Sequence, residues 1–160
     1  MSGIAHSAVQ PSETSGEMSH GRQVYHACMT AFMCLMFLAL ALLAGRFLVP
    51  IHDFPASSVL VAAAILFEIF VAGGIYLQIR NYCRIIRQFS YDGRSLKYGT
   101  LGSSQEQLRD VKQIIDVRQG RMGAPSIGFS VVFSDNKKVY LDYSMPHARE
   151  AAERLRLDLA

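Results

Sequence analysis

Apolar residues crowd between Ala27 and Ile79, while both flanks have the mixed texture of soluble sequence. The first apolar run extends from about Tyr25 to Val49 and carries no charge before Arg46. A helix crossing the hydrocarbon layer needs roughly 20 residues at about 1.5 Å each, and this run supplies them. Pro50, Asp53 and Pro55 then interrupt it. A second run, about Ser57 to Ile79, is equally long and holds one charged residue, Glu68. So short a connection makes the two helices antiparallel. The pattern predicts a transmembrane helical hairpin over 24–88, with spans at about 25–49 and 57–79 and a basic juxtamembrane end.

Residues 1–23 are rich in Ser, Gly and small polar types without an apolar period, which predicts a disordered polar tail. A cleavable signal peptide is the competing reading, and the small residues of LALALLAG would suit one. The tail's length, together with Glu13 and Glu17, argues against it. Arg80, Arg84 and Arg87 follow the second span and Arg22 precedes the first, whereas the turn has Arg46 and His52 offset by Asp53. By the positive-inside rule both termini are then cytoplasmic, in a multi-pass protein of the cytoplasmic (inner) membrane. Tyr25, Tyr76 and Tyr82 fall where an interfacial aromatic belt would stand.

Beyond Phe89 the pattern becomes that of a small α+β domain, 89–160. Tyr91-Asp92-Gly93-Arg94 reads as a turn and Ser95–Tyr98 as a short strand. Val111–Val117 fits a strand imperfectly, and the composition of GRMGAP (120–125) reads as a loop. Ile127, Phe129, Val131 and Phe133 alternate with smaller residues, and so do Val139, Leu141 and Tyr143. Ser134–Lys138 joins the two as a hairpin connection. Ser144 stands as an N-cap, with Pro146 and His147 in the first turn of a closing helix. Ala148, Ala151, Ala152, Leu155 and Leu159 form its apolar stripe, suited to the open end of a sheet.

The succession of two spans, YDGRSLKYGT, LRDVKQIIDVRQG, IGFSVVFSDNKKVYLDY and AREAAERLRLDL resembles the bacterial pleckstrin-homology-like domains of small membrane proteins. The resemblance covers about residues 89–159. It implies a strongly bent antiparallel sheet capped by a C-terminal helix, and a binding or scaffolding role. Phosphoinositide binding does not come with it, because no clustered basic loop lies between Ser95 and Leu108.

Charge and chemistry narrow the function. The formal charge of +3 is mild and Asp and Glu are interleaved with the basic residues, unlike the concentrated stripe of a nucleic-acid binder. Three cysteines without CxxC spacing indicate neither a disulfide framework nor a zinc site, and Cys28 and Cys34 read as small apolar fillers. The five histidines lack an HxxxH arrangement, so no metal is expected. His147, Asp142 and Glu150 invite a catalytic reading. No nucleophile stands at a recognisable spacing and no phosphate loop is present, so they read as solvated surface. Phe129, Phe133, Tyr140 and Tyr143 read as core or sheet-face residues. No catalytic residue, cofactor or enzymatic activity is expected.

Glu68 is the most informative single residue. It lies near mid-span, where a charge costs at least ~2.5 kcal/mol, so it should face protein or water. Ala64 and Ala72, one turn to either side, would let another helix approach closely. Its carboxyl is then neutral, or bonded to Thr30, Cys34 or a partner subunit. It serves helix packing, a complex contact, or ion or proton transport in an oligomer. Arg80, Arg84 and Arg87, at i, i+4 and i+7, would share one helix face, either setting topology or holding anionic lipid headgroups. The expected role is a non-catalytic scaffold or adaptor in the lipid bilayer, with a protein partner or a second copy of itself. The alternative is an accessory or assembly subunit of a larger transport or energy-converting complex, with Glu68 in an intramembrane interface.

Overall fold

The computed structural model describes residues 13–48, 58–122 and 126–159. They form two units: His20–Arg84 is one, and residues 13–19 together with 85–159 are the other.

The first unit is a pair of helices, α1 (His20–Leu48) and α2 (Ser58–Cys83). Helix α1 begins a turn before the apolar limit at Tyr25 and α2 ends a turn after the one at Ile79, because helical hydrogen bonding continues through 20–24 and 80–83. Within His20–Arg46 and Ala62–Cys83 the most apolar 18-residue stretches have mean hydropathies of 2.4 and 1.9, and each helix is long and apolar enough to cross a membrane. The turn at Pro50, Asp53 and Pro55 lies outside the described residues. The helices meet where the Phe37 ring covers Gly74. A Cβ on Gly74 would stand 2.7 Å from Phe37 Cζ, so only glycine admits the ring. Phe37 also meets Phe70 edge to face, with centroids 6.3 Å apart.

The second unit is α+β. Strands β1 (Thr14–Glu17), β2 (Ile86–Tyr91), β3 (Ser95–Thr100) and β4 (Ser103–Asp110) form one antiparallel sheet in that order. Strands β5 (Ile114–Met122), β6 (Ser126–Phe133) and β7 (Lys138–Asp142) form the other, and helix α3 (Ala148–Asp158) follows. The α+β unit is therefore not confined to 89–160.

Residues 13–23 correct the expectation of a polar tail over 1–23. Thr14 pairs with Tyr91 and Glu17 with Gln88, Met18 is 2% exposed, and α1 begins at His20. Met18 N–H donates to the Arg87 carbonyl at 2.8 Å. No apolar period announces this strand, because what fits it is shape. A Cβ on Gly16 would collide with the Pro146 carbonyl and stand 2.7 Å from Phe89 Cε1. Residues 1–12 lie outside the described residues.

Local chemistry accounts for the remaining connections. Asp92 Oδ1 accepts from the N–H groups of Arg94 and Ser95 at 2.8 and 2.6 Å, and Gly93 takes the left-handed φ of 85° that the β2–β3 turn needs. These donors hold the Asp92 carboxyl below the usual carboxylate range, the Ser95 N–H contributing most. The imperfect strand at Val111–Val117 resolves into a 3-10 turn over Val111–Gln113 followed by β5. Asp110 caps the turn by accepting from Lys112 N–H at 2.8 Å. GRMGAP is not wholly a loop: Gly120 pairs with Gly128 and Met122 with Ser126, and residues 123–125 lie outside the described set.

Helix α3 starts later than Ser144 suggests. Its N-cap is His147, at a left-handed φ of 55° and without a side-chain cap bond, so Pro146 stands outside the helix. Ser144 N–H is instead taken by Asp142 Oδ1 at 2.8 Å. The stripe Ala148, Ala151, Ala152 and Leu155 is buried as its spacing predicts. Two polar contacts fasten the helix: the Tyr91 hydroxyl donates to Asp158 Oδ2, and Arg156 Nε donates to the Val117 carbonyl at 2.8 Å. Between the sheets, Tyr98 stacks on Phe133 with centroids 5.7 Å apart.

Candidate functional site

In the hairpin, the face of α2 that turns towards α1 is marked by its buried and half-buried residues Ala64, Phe67, Val71, Gly74, Ile75 and Gln78. Glu68 and Ala72 lie outside it and are exposed, while Ala64 is half-buried within it. Roughly 70° of helical rotation separates Glu68 from the middle of that face. Glu68 therefore does not serve packing between the two helices of its own hairpin. Among the described residues it has no hydrogen-bond or ion-pair partner.

The expected bonds to Thr30 or Cys34 are excluded by register. Phe37 lies between Phe70 and Gly74, so it is level with about residue 72, and Glu68 is level with about Ala41. At about 1.5 Å per residue, Cys34 is then about 10 Å and Thr30 about 16 Å away along the axis. Helix spacing in the sequence shows which residues share a face, but only the Phe37–Gly74 seat sets the level of one helix against the other.

The three arginines after the second span separate. Arg80 belongs to α2, with its guanidinium carbon 5.7 Å from the centre of the Tyr76 ring. Arg84 follows the end of α2, its N–H donating to the Asn81 carbonyl at 3.1 Å. Arg87 belongs to β2, at a register shift between Ile86 and Gln88. The predicted common helix face of Arg80, Arg84 and Arg87 therefore does not form, because the helix ends at Cys83 and the chain becomes extended. The bulge re-aims Arg87, and among the described residues its buried Nε has no hydrogen-bond partner. At the same end of the hairpin Arg22 lies over the Tyr25 ring at 4.7 Å, so two Arg–Tyr pairs mark that end.

In the α+β unit an open cleft is lined by residues that include Ser15, Glu17, Gln88, Lys97, Glu106 and His147. Lys97 and Glu106 are paired within it, whereas the Glu17 side chain has no hydrogen-bond or ion-pair partner among the described residues. Lys97 Nζ meets Glu106 Oε2 at 2.6 Å, and Gln88 donates to the other Glu106 oxygen. The Lys97 ammonium holds the Glu106 carboxyl below its ordinary range. His147 Nδ1 is 3.2 Å from Glu150 Oε2 in a pair that is open to water.

Asp142 departs from the expected solvated surface. It is 1% exposed, and its Oδ1 serves the Ser144 N–H that starts the turn into α3. Its role there is architectural. Phe129 and Phe133 are core, as their alternation predicts, and Tyr143 packs edge to face on Phe129 at 4.6 Å. Among the described residues no three His, Cys, Asp or Glu side chains converge as a metal site would need.

Comparison with protein-family models, with curated proteins and with solved structures finds no match to this chain.

Proposed function

We propose that this chain is a non-catalytic, membrane-anchored scaffold or adaptor. The hairpin crosses the cytoplasmic membrane and presents a pleckstrin-homology-like domain to a protein partner or to a second copy. One observation carries this reading: β1 precedes the hairpin, β2 follows it, and the two pair from Thr14↔Tyr91 to Glu17↔Gln88. A body closed from both flanks requires both ends of the hairpin to leave the membrane on one side. The basic residues Arg22, Arg80 and Arg84 favour the cytoplasmic side. Support for the domain type comes from four strands, then three, then a closing helix packed through Ala151, Ala152 and Leu155. Headgroup contact rests on Arg80 and Arg84 at the hairpin end and on Arg87 in β2.

Thiol labelling tests the topology. With Cys28, Cys34 and Cys83 replaced by Ala, single cysteines at Ser15 and Asn136 should react with an impermeant maleimide in inverted vesicles and not on intact cells. Reaction on intact cells, or a protein soluble without detergent, overturns the reading. Purification in mild detergent tests the scaffold role: a strict monomer with no co-purifying protein counts against it. An accessory subunit of a larger membrane complex is the second reading, favoured by the exposed Glu68. Glu68→Gln should then impair assembly of that complex, and an unaltered complex would remove the idea.

A further inference from the structure

Among its described residues the hairpin carries two charges away from its basic end, Glu68 on α2 and Arg46 in the last turn of α1. Both are exposed, and among the described residues neither has a hydrogen-bond or ion-pair partner. They do not meet within one chain. The half-buried residues in the body of α1 are Thr30, Met33, Cys34, Phe37, Ala41 and Ala44, and Arg46 lies roughly 170° around the helix from the middle of that face.

Their depths nevertheless lie within side-chain reach. Glu68 is level with about Ala41, so Arg46 is about 7 Å further along the axis. Side chains lean towards the N-terminus of their own helix. In this antiparallel pair Arg46 therefore leans towards mid-span and Glu68 leans towards the turn, so the two tips approach. The long arginine stem covers what remains.

We propose that copies of this chain associate side by side in the membrane, with Glu68 of one hairpin paired to Arg46 of the next. The inference rests on the hairpin being a membrane hairpin. Charge complementarity names the occupant: the mate that a mid-span carboxylate requires is present on the chain itself, at the right depth and on the outward face of α1. Ala72, exposed beside Glu68, lets the neighbouring α1 come close. Each hairpin gives Glu68 to one neighbour and Arg46 to the other, a head-to-tail contact that closes when the rotation permits.

The test uses the full chain in native membranes, with amine crosslinking to count copies and carbonate washing to confirm insertion. Wild type should give crosslinked multimers. Glu68→Gln and Arg46→Gln should each lower the multimer yield about tenfold, and the exchange Glu68→Arg with Arg46→Glu should restore it to within about twofold. A carbonate-resistant wild type that stays monomeric overturns the pairing and leaves the membrane reading intact. Single variants that keep the wild-type yield, or an exchange that fails to restore it, overturn the pairing as well. A wild type that washes off overturns both.

Discussion

On the hairpin, Leu42, Leu66 and Phe70 are 68%, 67% and 66% exposed; in the α+β unit Phe133, Tyr98 and Leu155 are 0%, 1% and 1% exposed. The same kinds of residue face opposite ways in the two units. A surface of the first kind cannot persist in water as a contiguous patch, and a core of the second kind gains little where the surroundings are already apolar. The hairpin is held by length, composition and a few seats such as Phe37 on Gly74. The α+β unit is held by long-range packing.

Substitutions that exchange these roles probe the contrast most strongly. Phe133→Ala should destabilise the α+β unit by about 3–5 kcal/mol, through lost burial and the cavity under Tyr98. Leu66→Ala removes a comparable side chain from an exposed position on the hairpin and should leave denaturant stability in detergent nearly unchanged. Equal losses at the two positions would break the contrast. Gly16→Val comes next. It drives a side chain into the Pro146 carbonyl and Phe89 and should cost about 1–3 kcal/mol. Hydrogen exchange should then rise in Thr14–Glu17 and in β2 while α1 and α2 stay protected. Loss of protection in the hairpin would mean the two units do not fold separately.

Tyr91→Phe removes the donor to Asp158 and should cost about 1 kcal/mol, read as a lower urea midpoint with unchanged slope. Burial, more than the bond to Asp158, pushes the Tyr91 phenol well above its ordinary range. Near neutral pH the phenol therefore stays protonated and the bond does not titrate through its donor. The smallest effect is in acid. Asp92 and Asp135 are held below the ordinary carboxylate range, chiefly by the backbone N–H groups of Ser95 and Lys137. The stabilisation from a lowered value is complete above the unfolded value of about 3.9 and is lost as pH falls through the folded value. Asp92→Asn with Asp135→Asn should therefore shrink the drop in stability across that window and converge with wild type below it. A mutant whose acid limb keeps the wild-type slope would remove both carboxylates from the account.

How much was legible in the chain differs between the units for the same reason. Strands β6 and β7 and the stripe of α3 could be read because each buries one face, and burial imposes a period on neighbouring residues. The Asp92–Gly93 turn was legible because its chemistry is complete within four residues. Strand β1 was not, since Thr14, Gly16 and Met18 acquire their roles only from Tyr91, Phe89 and Pro146, far along the chain. Asp142 was misread as surface because alternation places it opposite Leu141, and the turn into α3 then covers it. Arg87 was assigned to a helix because its spacing from Arg80 and Arg84 is helical. The spacing cannot show that the helix stops at Cys83.

Two helices long and apolar enough to cross a membrane, an antiparallel hairpin of strands and a closing amphipathic helix were determined by the sequence alone. Each reflects a residue's preference for a solvent, and that preference is written locally. Only the tertiary structure decided that a strand ahead of the hairpin completes the sheet behind it. It also decided that Glu68 turns away from its own α1, and that Thr30 and Cys34 lie too far along the axis to meet it. Those outcomes depend on which distant residue stands opposite which, and pairing across some seventy positions leaves no period in the chain.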